Sequence, residues 1–244
     1  MVTRPALQSD ALADGLERLG ADVVLLPLTR IVPVDDSHEL AAAIDGLDRY
    51  AVVAVTSANG AACLGAQLRR RGRSIPAGVL VAAVGDATAG ALADEGIRTD
   101  LVPERATGAA LAATLAAAAG VAGARVLVAR ARTGRPEIVE GLRAAGAFVD
   151  DVALYDTERL APDPAAVARA LGDRGATVVV LTAPSAVETL AAAIAPEDAP
   201  GVAVVTMGPT TSAAARAAGM TVAAEAAEQS VAGLVAAVRA AVRS

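Results

Sequence analysis

The stretch Thr56-Ser57-Ala58-Asn59-Gly60-Ala61-Ala62-Cys63-Leu64 returns in related form as Thr182-Ala183-Pro184-Ser185-Ala186-Val187-Glu188-Thr189-Leu190, at an offset of 126 (182 − 56). Two other pairs repeat at similar spacing: Val84–Ala89 with Met207–Ser212, offset 123, and Val2–Pro5 with Val128–Ala131, offset 126. Self-similarity at a fixed period indicates a duplicated architecture. The chain is predicted to form two similar lobes with a cleft between them, the usual place for a ligand.

Short β-branched runs alternate with alanine-rich stretches of helical length, which is typical of a parallel sheet with helices on both faces. Glycine follows the last turn of four predicted helices, at Gly20, Gly96, Gly146 and Gly219, where a left-handed residue ends a helix. After Thr221 the pattern predicts only one more helix. The predicted strands cover residues 2–4, 22–26, 51–55, 79–83, 125–129, 148–154, 177–181 and 202–206. The predicted helices cover residues 6–19, 39–44, 60–70, 88–94, 108–118, 136–145, 165–171, 185–194, 211–218 and 231–242.

Two extended, proline-containing segments, 27–36 and 153–164, interrupt this alternation and are interpreted as connections between the lobes. If both cross, the first lobe is discontinuous in sequence, and the second is built entirely between the crossings. The repeat alone would instead place one boundary near residue 120. Periodicity does not decide between these topologies.

Composition excludes several classes of protein. The formal charge of −6 argues against a nucleic-acid partner, and no apolar run reaches the roughly 18 residues of a membrane-spanning helix. The chain opens on Val2-Thr3-Arg4-Pro5 without a leader pattern, so we expect a cytoplasmic protein. All 21 basic residues are arginine, with a single histidine and a single cysteine, which excludes Schiff-base, triad and zinc chemistry.

Polar residues follow the predicted strands at the edge where open α/β sheets bind ligands. Glycines and hydroxyls at helix starts suit an anionic ligand, although each serine or threonine is equally suited to capping its helix. Arginines after the first strand of each half suit carboxylates, with a surface salt bridge as the alternative. Tyr155 lies in a crossing segment, from which its phenol would project into the cleft as a hydrogen-bond donor or weak acid. The candidate binding residues are Thr3, Arg4, Thr56, Ser57, Asn59, Thr88, Arg130, Ser185, Thr210 and Thr211.

These motifs, in this order, resemble the uroporphyrinogen-III synthase family. The resemblance is carried by Val2-Thr3-Arg4-Pro5, Val55-Thr56-Ser57-Ala58-Asn59, Val84-Gly85-Asp86-Ala87-Thr88-Ala89, Leu154-Tyr155-Asp156-Thr157, Pro184-Ser185-Ala186-Val187 and Gly208-Pro209-Thr210-Thr211. It implies two flavodoxin-like, doubly wound α/β domains joined by a two-stranded connection, with a cleft between them. Domain 1 would comprise residues 1–30 plus 159–244, domain 2 residues 35–152, and the connections residues 31–34 and 153–158.

The resemblance also implies an activity: cyclisation of hydroxymethylbilane to uroporphyrinogen III, with inversion of ring D through a spiro intermediate and loss of water, and without a metal or other cofactor. Tyr155 matches the family's tyrosine implicated in activity and would act on the departing hydroxyl. Thr56, Ser57, Thr88 and Ser185, with Thr210 and Thr211, match positions expected to hold substrate carboxylates.

The expected partners are the linear tetrapyrrole substrate and, through a transient handover, the enzyme that produces it. No nucleic-acid or membrane partner is expected, and the chain is expected to be a monomer. The alternative is a non-catalytic tetrapyrrole or anion sensor on the same scaffold, such as one joined to a DNA-binding module. The sequence contains no recognisable module of that kind.

Overall fold

The computed structural model of the chain describes residues 1–4, 9–34, 37–171, 177–195 and 201–243, over which strands and helices alternate. A short 3₁₀ turn covers Leu47–Arg49. The strands are β1 Thr29–Pro33, β2 Val52–Val55, β3 Leu80–Ala83, β4 Arg125–Ala131, β5 Phe148–Arg159, β6 Val178–Leu181, β7 Ala203–Thr206 and β8 Val222–Glu225. The helices are α1 Asp10–Glu17, α2 His38–Asp45, α3 Ala58–Arg70, α4 Asp86–Asp94, α5 Gly108–Ala119, α6 Glu137–Ala144, α7 Pro164–Leu171, α8 Pro184–Ala193, α9 Pro209–Ala217 and α10 Val231–Arg243.

The chain divides into two compact units. Unit 1 comprises Met1–Arg30 and Glu158–Ser244, and unit 2 comprises Ile31–Thr157. The chain leaves unit 1 through β1 and returns through β5, which are neighbours in one sheet. The boundaries therefore lie after Arg30 and after Thr157, so residues 31–34 and 153–157 of the predicted connections belong to unit 2.

Unit 2 contains a parallel sheet in the order β5-β4-β2-β3, and Leu101 forms one further parallel pair with Ala82 beyond β3. From β2 the chain moves outward to β3 and Leu101, then crosses back to β4 on the other side of β2. The strand order thus reverses between β2 and β4. In open α/β sheets this switch point is where ligands bind, outside the carboxyl ends of the strands.

Helices cover both faces of the unit 2 sheet, as the alternating side chains of β2 require. Val53 and Val55 are fully buried in a cluster with side chains of α2, α3 and α4. Val52 and Ala54 belong to a second cluster, formed with α5 and α6. Two apolar layers on one sheet explain why the strands read as uninterrupted hydrophobic runs.

Unit 1 is built in the same way around the parallel strands β6-β7-β8. Val2 forms parallel single-residue pairs with both Val180 and Leu25, which extends this sheet beyond β6. One apolar cluster includes residues of α7, α8 and α9, and the other includes residues of α1 and α10. Counted along the chain, the pairing order is 2-1-3-4-5, the flavodoxin-like order.

The strand registers of the two units match at the offsets of the sequence repeat. Ala54 pairs with Val128 in unit 2, and Val180 pairs with Val2 in unit 1, which shifts both partners by 126 (180 − 54 and 128 − 2). The outer pairs Ala82–Leu101 and Val205–Ala224 differ by 123 (205 − 82 and 224 − 101). The predicted duplication and the doubly wound α/β class are confirmed.

Three details differ from the sequence predictions. The predicted strands 2–4 and 22–26 are observed only as single-residue pairs of Val2, with Leu25 at the exposed edge of the sheet and with Val180. The structure places β8 after Thr221, where one helix alone was expected; its alanine-rich sequence has a weak strand signal, and pairing with β7 supplies the order. The predicted helix 6–19 is observed as α1, with residues 6–8 outside the described part of the chain.

The predicted helix endings are confirmed. Gly20, Gly96, Gly146 and Gly219 all have positive φ, between 72° and 85°, a region open to glycine because it lacks Cβ. Within the described residues, no helix is long and apolar enough to cross a bilayer.

Candidate functional site

The switch point of unit 2 carries a polar loop that runs from β2 into α3. Ser57 takes an extended conformation at the N-cap of α3, and its Oγ accepts a hydrogen bond from the Gly60 amide at 2.9 Å. This contact satisfies one of the amide groups that every helix start leaves unpaired. Thr56 and Asn59 are half-buried on either side of the cap. The capping alternative is therefore observed for Ser57, and its hydroxyl retains a proton that it can donate elsewhere.

The second partner of the Ser57 hydroxyl is Tyr155. Their oxygens lie 2.9 Å apart, and either hydroxyl can be the donor. Tyr155 is only 5% exposed and packs within the apolar cluster that also contains Leu154. The structure thus joins two predicted site residues that are 98 positions apart in sequence. It places the phenol almost fully buried within unit 2.

An irregularity in β5 accounts for the position of Tyr155. Arg130 pairs with Ala153, but the next residue of β4, Ala131, pairs with Tyr155, so Leu154 is an extra residue in its strand. A β-bulge of this kind redirects the side chains that follow it. Without it, Tyr155 would lie on the face opposite to Val152 and Leu154, because side chains alternate along a strand. All three instead belong to one cluster.

Arg130 lies at the same edge, but its guanidinium is engaged within the protein. Nε and one terminal nitrogen contact the two carboxylate oxygens of Asp151 at 2.6 and 2.7 Å, and the other terminal nitrogen donates to the Gly134 carbonyl. The hydrogen bonds to Asp151 raise the pKa of Arg130. Its side chain is 12% exposed. The salt-bridge alternative raised by the sequence is what the structure shows for this arginine.

Thr88, the remaining candidate of unit 2, is buried in the first turn of α4. Its amide donates to the Gly85 carbonyl at 3.0 Å. A side chain at Gly85 would meet the Cβ of Ala106 at 2.8 Å, so glycine is needed for close packing at this helix start.

Unit 1 carries five candidates at the carboxyl ends of its own strands. The Thr3 hydroxyl is fully buried and donates to the Val180 carbonyl at 2.7 Å, a contact internal to the fold. Arg4 is half-buried, and burial lowers its pKa. Ser185 is half-buried in the first turn of α8, while in α9 Thr210 is exposed and Thr211 is buried.

A family model described as uroporphyrinogen-III synthase HemD matches residues 10–236 of this chain. The chain belongs to this family.

Two curated relatives in the uroporphyrinogen-III synthase family show the extent of the likeness. The chain is 30% identical over 190 residues to the "Porphyrin biosynthesis protein HemD" of Ruminiclostridium josui, a match that covers 77% of this chain and 38% of that protein. It is 30% identical over 174 residues to the "Uroporphyrinogen-III synthase" of Synechococcus elongatus, covering 69% of this chain and 64% of that protein. The chain thus spans less than two thirds of the length of both relatives.

The fold agrees with a solved member of the family. A mutant uroporphyrinogen III synthase from the extremely thermophilic bacterium Thermus thermophilus superposes with a TM-score of 0.64 at 18% identity, over 99% of this chain and 98% of that one. At this identity the likeness establishes the shared two-domain α/β fold.

Unit 1 of this family member also contains a polar network that was not predicted from the sequence. The Oγ1 of Thr206 and the Oγ of Ser212 lie 2.6 Å apart, and the Ser212 hydroxyl donates to the Glu225 carboxylate. Since Ser212 gives its proton to Glu225, Thr206 must donate to Ser212. Both hydroxyl residues are fully buried, whereas the positions 123 residues earlier are Ala83 and Ala89. Comparing the repeats position by position would have revealed this polar substitution.

Proposed function

We propose that this family member is a uroporphyrinogen-III synthase. It cyclises hydroxymethylbilane to uroporphyrinogen III, with inversion of ring D and release of the terminal hydroxyl as water. The match to the family over residues 10–236 supports the reaction class. The observation that carries the assignment to residues is the Ser57–Tyr155 contact of 2.9 Å at the switch point of unit 2.

The substrate demands little acid strength from the protein. The lone pair of a pyrrole nitrogen expels the hydroxyl from the adjacent methylene carbon, and the departing oxygen needs one proton to leave as water. A phenol beside that oxygen supplies the hydrogen bond or the proton. The electron-rich ring D then attacks this methylene carbon through its substituted α-carbon, which gives the spiro intermediate. The bond from that α-carbon to the methylene of the preceding ring breaks, and the methylene bonds instead to the free α-carbon of ring D, which inverts the ring. Loss of a ring proton at the end restores the acid.

Ser57 supports the phenol in this scheme. Its Oγ already accepts from the Gly60 amide, which leaves its own proton for a negatively charged neighbour. When Tyr155 passes its proton towards the leaving oxygen, the Ser57 hydroxyl can donate to the phenolate. Stabilisation by a pre-oriented donor requires no reorganisation during the reaction. Tyr155 is therefore the proposed catalytic residue and Ser57 its positioning partner.

The substrate also presents eight carboxylates, for which both units offer polar edges. We propose substrate contact for the half-buried or exposed candidates Thr56, Asn59, Arg4, Ser185 and Thr210, which lie at or near helix starts and strand ends that favour anions. Thr3 and Arg130 donate hydrogen bonds within their own units, and Thr88 and Thr211 are buried, so the proposed role of these four residues is to shape the binding loops.

The proposal includes no metal and no organic cofactor. It places the enzyme in the cytoplasm as a monomer that receives its substrate from the enzyme producing the bilane. Size-exclusion chromatography with light scattering tests the monomer: a mass near 24.0 kDa is expected, and a stable dimer would contradict it.

The decisive experiment supplies fresh hydroxymethylbilane to the purified protein, oxidises the products and separates the uroporphyrin I and III isomers. Type III well above the enzyme-free control is expected. If folded protein yields only the spontaneous type I isomer, the synthase assignment is wrong. Retained binding of the bilane in that case would instead favour the non-catalytic sensor.

A further inference from the structure

Arg132 follows β4 directly, one residue after the Ala131–Tyr155 pair. Its backbone amide donates to the Tyr155 carbonyl at 2.9 Å, directly after the β-bulge. Its side chain is 58% exposed and contacts Asp156, itself 37% exposed, at 3.5 Å. An arginine is thus attached through its backbone to the catalytic strand, and its guanidinium reaches solvent.

The two arginines at the end of β4 differ in how firmly they are held. Arg130 makes a bidentate pair with Asp151 and a third contact with Gly134, at 12% exposure. Turning Arg130 towards a ligand would leave a partly buried carboxylate without its partner, which is costly. The Arg132 pair has a single longer contact between exposed groups, and exposed ion pairs add little stability. Of these two arginines, only Arg132 can exchange its carboxylate partner at low cost in free energy.

We propose that Arg132 binds a carboxylate of the substrate at the exposed end of β4, and that Asp156 occupies the guanidinium until the substrate carboxylate replaces it. This inference rests on the proposed synthase function and names one of its binding groups. Guanidinium and carboxylate form paired hydrogen bonds of fixed geometry, so one such contact orients the tetrapyrrole as well as holding it. Asp156 keeps a structural partner after the exchange, because its other oxygen accepts from the Thr157 amide at 2.8 Å.

The test compares Arg132→Ala with Arg169→Ala. Arg169 is a matched control in unit 1, with 62% exposure and a loose contact of 3.8 Å to Asp163. Arg132→Ala is expected to raise KM for hydroxymethylbilane about 10- to 100-fold, the effect of a lost charge-assisted hydrogen bond, with kcat changed less than about threefold. Arg169→Ala is expected to match wild type, and Arg132→Lys, which keeps the charge but not the fork, to lie between.

Asp156→Asn distinguishes an exchangeable partner from a structural one. The amide keeps the acceptor for Thr157 but no longer competes for the guanidinium, so KM is expected to fall about two- to fivefold. A raised KM in Asp156→Asn would overturn the exchange, and an unchanged KM in Arg132→Ala would overturn the binding role.

Failure of this inference is separable from failure of the synthase assignment. Fluorescence titration with uroporphyrin III, an octacarboxylate, measures binding without turnover. If wild type forms no type III product, the function is wrong; weaker uroporphyrin binding by Arg132→Ala would still support the carboxylate site, and equal binding would overturn it. If wild type is active and Arg132→Ala equals Arg169→Ala in both assays, only the inference about Arg132 is wrong.

Discussion

The hydroxyl oxygens of Ser57 and Tyr155 are 2.9 Å apart, and the same serine oxygen caps α3 through the Gly60 amide. One side chain therefore couples the start of a helix to the orientation of a phenol from β5. The bulge at Leu154 makes this possible, since it moves Tyr155 to the face on which α3 packs.

The coupling between these hydroxyls is testable by a double-mutant cycle. Tyr155→Phe is expected to lower kcat about 10²-fold, the lower end for a lost general acid, because the pyrroles themselves expel the leaving group. Ser57→Ala is expected to lower kcat about tenfold. The kcat of the double variant is expected to be little lower than that of Tyr155→Phe, since both changes break the same contact. Initial rates of type III formation provide the measurement.

Loss of the helix cap needs a separate control. Ser37 caps α2 as Ser57 caps α3, with its Oγ accepting from the Leu40 amide at 3.0 Å. Ser37→Ala and Ser57→Ala are each expected to cost about 1 kcal/mol in urea unfolding. Only Ser57→Ala should lose activity. An equal loss of activity in Ser37→Ala and Ser57→Ala would contradict the proposed link between Ser57 and the Tyr155 phenol. Strictly multiplicative effects on the rate in the double-mutant cycle would contradict it as well.

The second tyrosine gives a pH-dependent prediction. Tyr50 donates to the Asp150 carboxylate at 2.6 Å, and burial together with this hydrogen bond raises the pKa of Tyr50 above its ordinary value of 10.0. The chain has two tyrosines and no tryptophan, so Tyr155→Phe leaves one phenol for absorbance titration at 295 nm. We expect its midpoint above that of the same variant unfolded in urea. A midpoint at or below the unfolded value would contradict the contact.

The sign of the stability effect follows from linkage. Because its pKa is raised in the folded state, Tyr50 contributes to the stability of the fold below pH 10. This contribution is lost as the pH rises through the folded-state pKa. Partial burial opposes ionisation of Asp150, but hydrogen bonds from Tyr50 and Arg125 outweigh it and lower its pKa. That contribution is present above the unfolded-state pKa, near 4, and is lost as the pH falls through the lower folded-state value. Tyr50→Phe should weaken both dependences, as measured by unfolding across pH.

The buried network of unit 1 predicts an unusual mutational pattern. Ser212→Ala leaves the buried Thr206 hydroxyl without its acceptor and is expected to cost about 1–3 kcal/mol. Adding Thr206→Val removes the unsatisfied donor, so the double variant should be more stable than Ser212→Ala alone. Ala83 and Ala89 in the other repeat show that an apolar pair suits this position. The midpoints of urea unfolding provide the measurement. A double variant less stable than Ser212→Ala would refute the assignment of the Thr206 hydroxyl as the donor to Ser212.

The packing of α5 against α6 in unit 2 depends on the absence of a side chain at Gly141. A Cβ at Gly141 of α6 would lie 2.8 Å from the Cβ of Ala112 in α5. Gly141→Ala is therefore expected to destabilise unit 2 by about 1–3 kcal/mol through overpacking, despite the better helix propensity of alanine. Adding Ala112→Gly should restore part of the loss. Thermal unfolding checks both, and a stabilised single variant would show that α5 and α6 can separate freely.

Sequence reasoning succeeded where the signal is local or repeated. For Ser57 the sequence left capping and ligand binding equally open, and the structure shows the cap, which depends on residues three positions apart. The predicted duplication is also reflected in the registers of both sheets, whose equivalent pairs are separated by the offsets of the repeat. It failed at β8, because Val222–Glu225 becomes a strand through its neighbour β7 rather than through its own composition.

Local residue order was sufficient to specify the alternating elements, their caps and the duplicated architecture, because these depend on short-range sterics and hydrophobic periodicity. The partner of each site residue depended on the tertiary fold. One extra residue in β5 turns Tyr155 towards Ser57, and cross-strand neighbours hold Arg130 while Arg132 stays exposed. Register and bulges arise from long-range pairing, so which hydroxyl is paired and which arginine is available emerges only once the strands align.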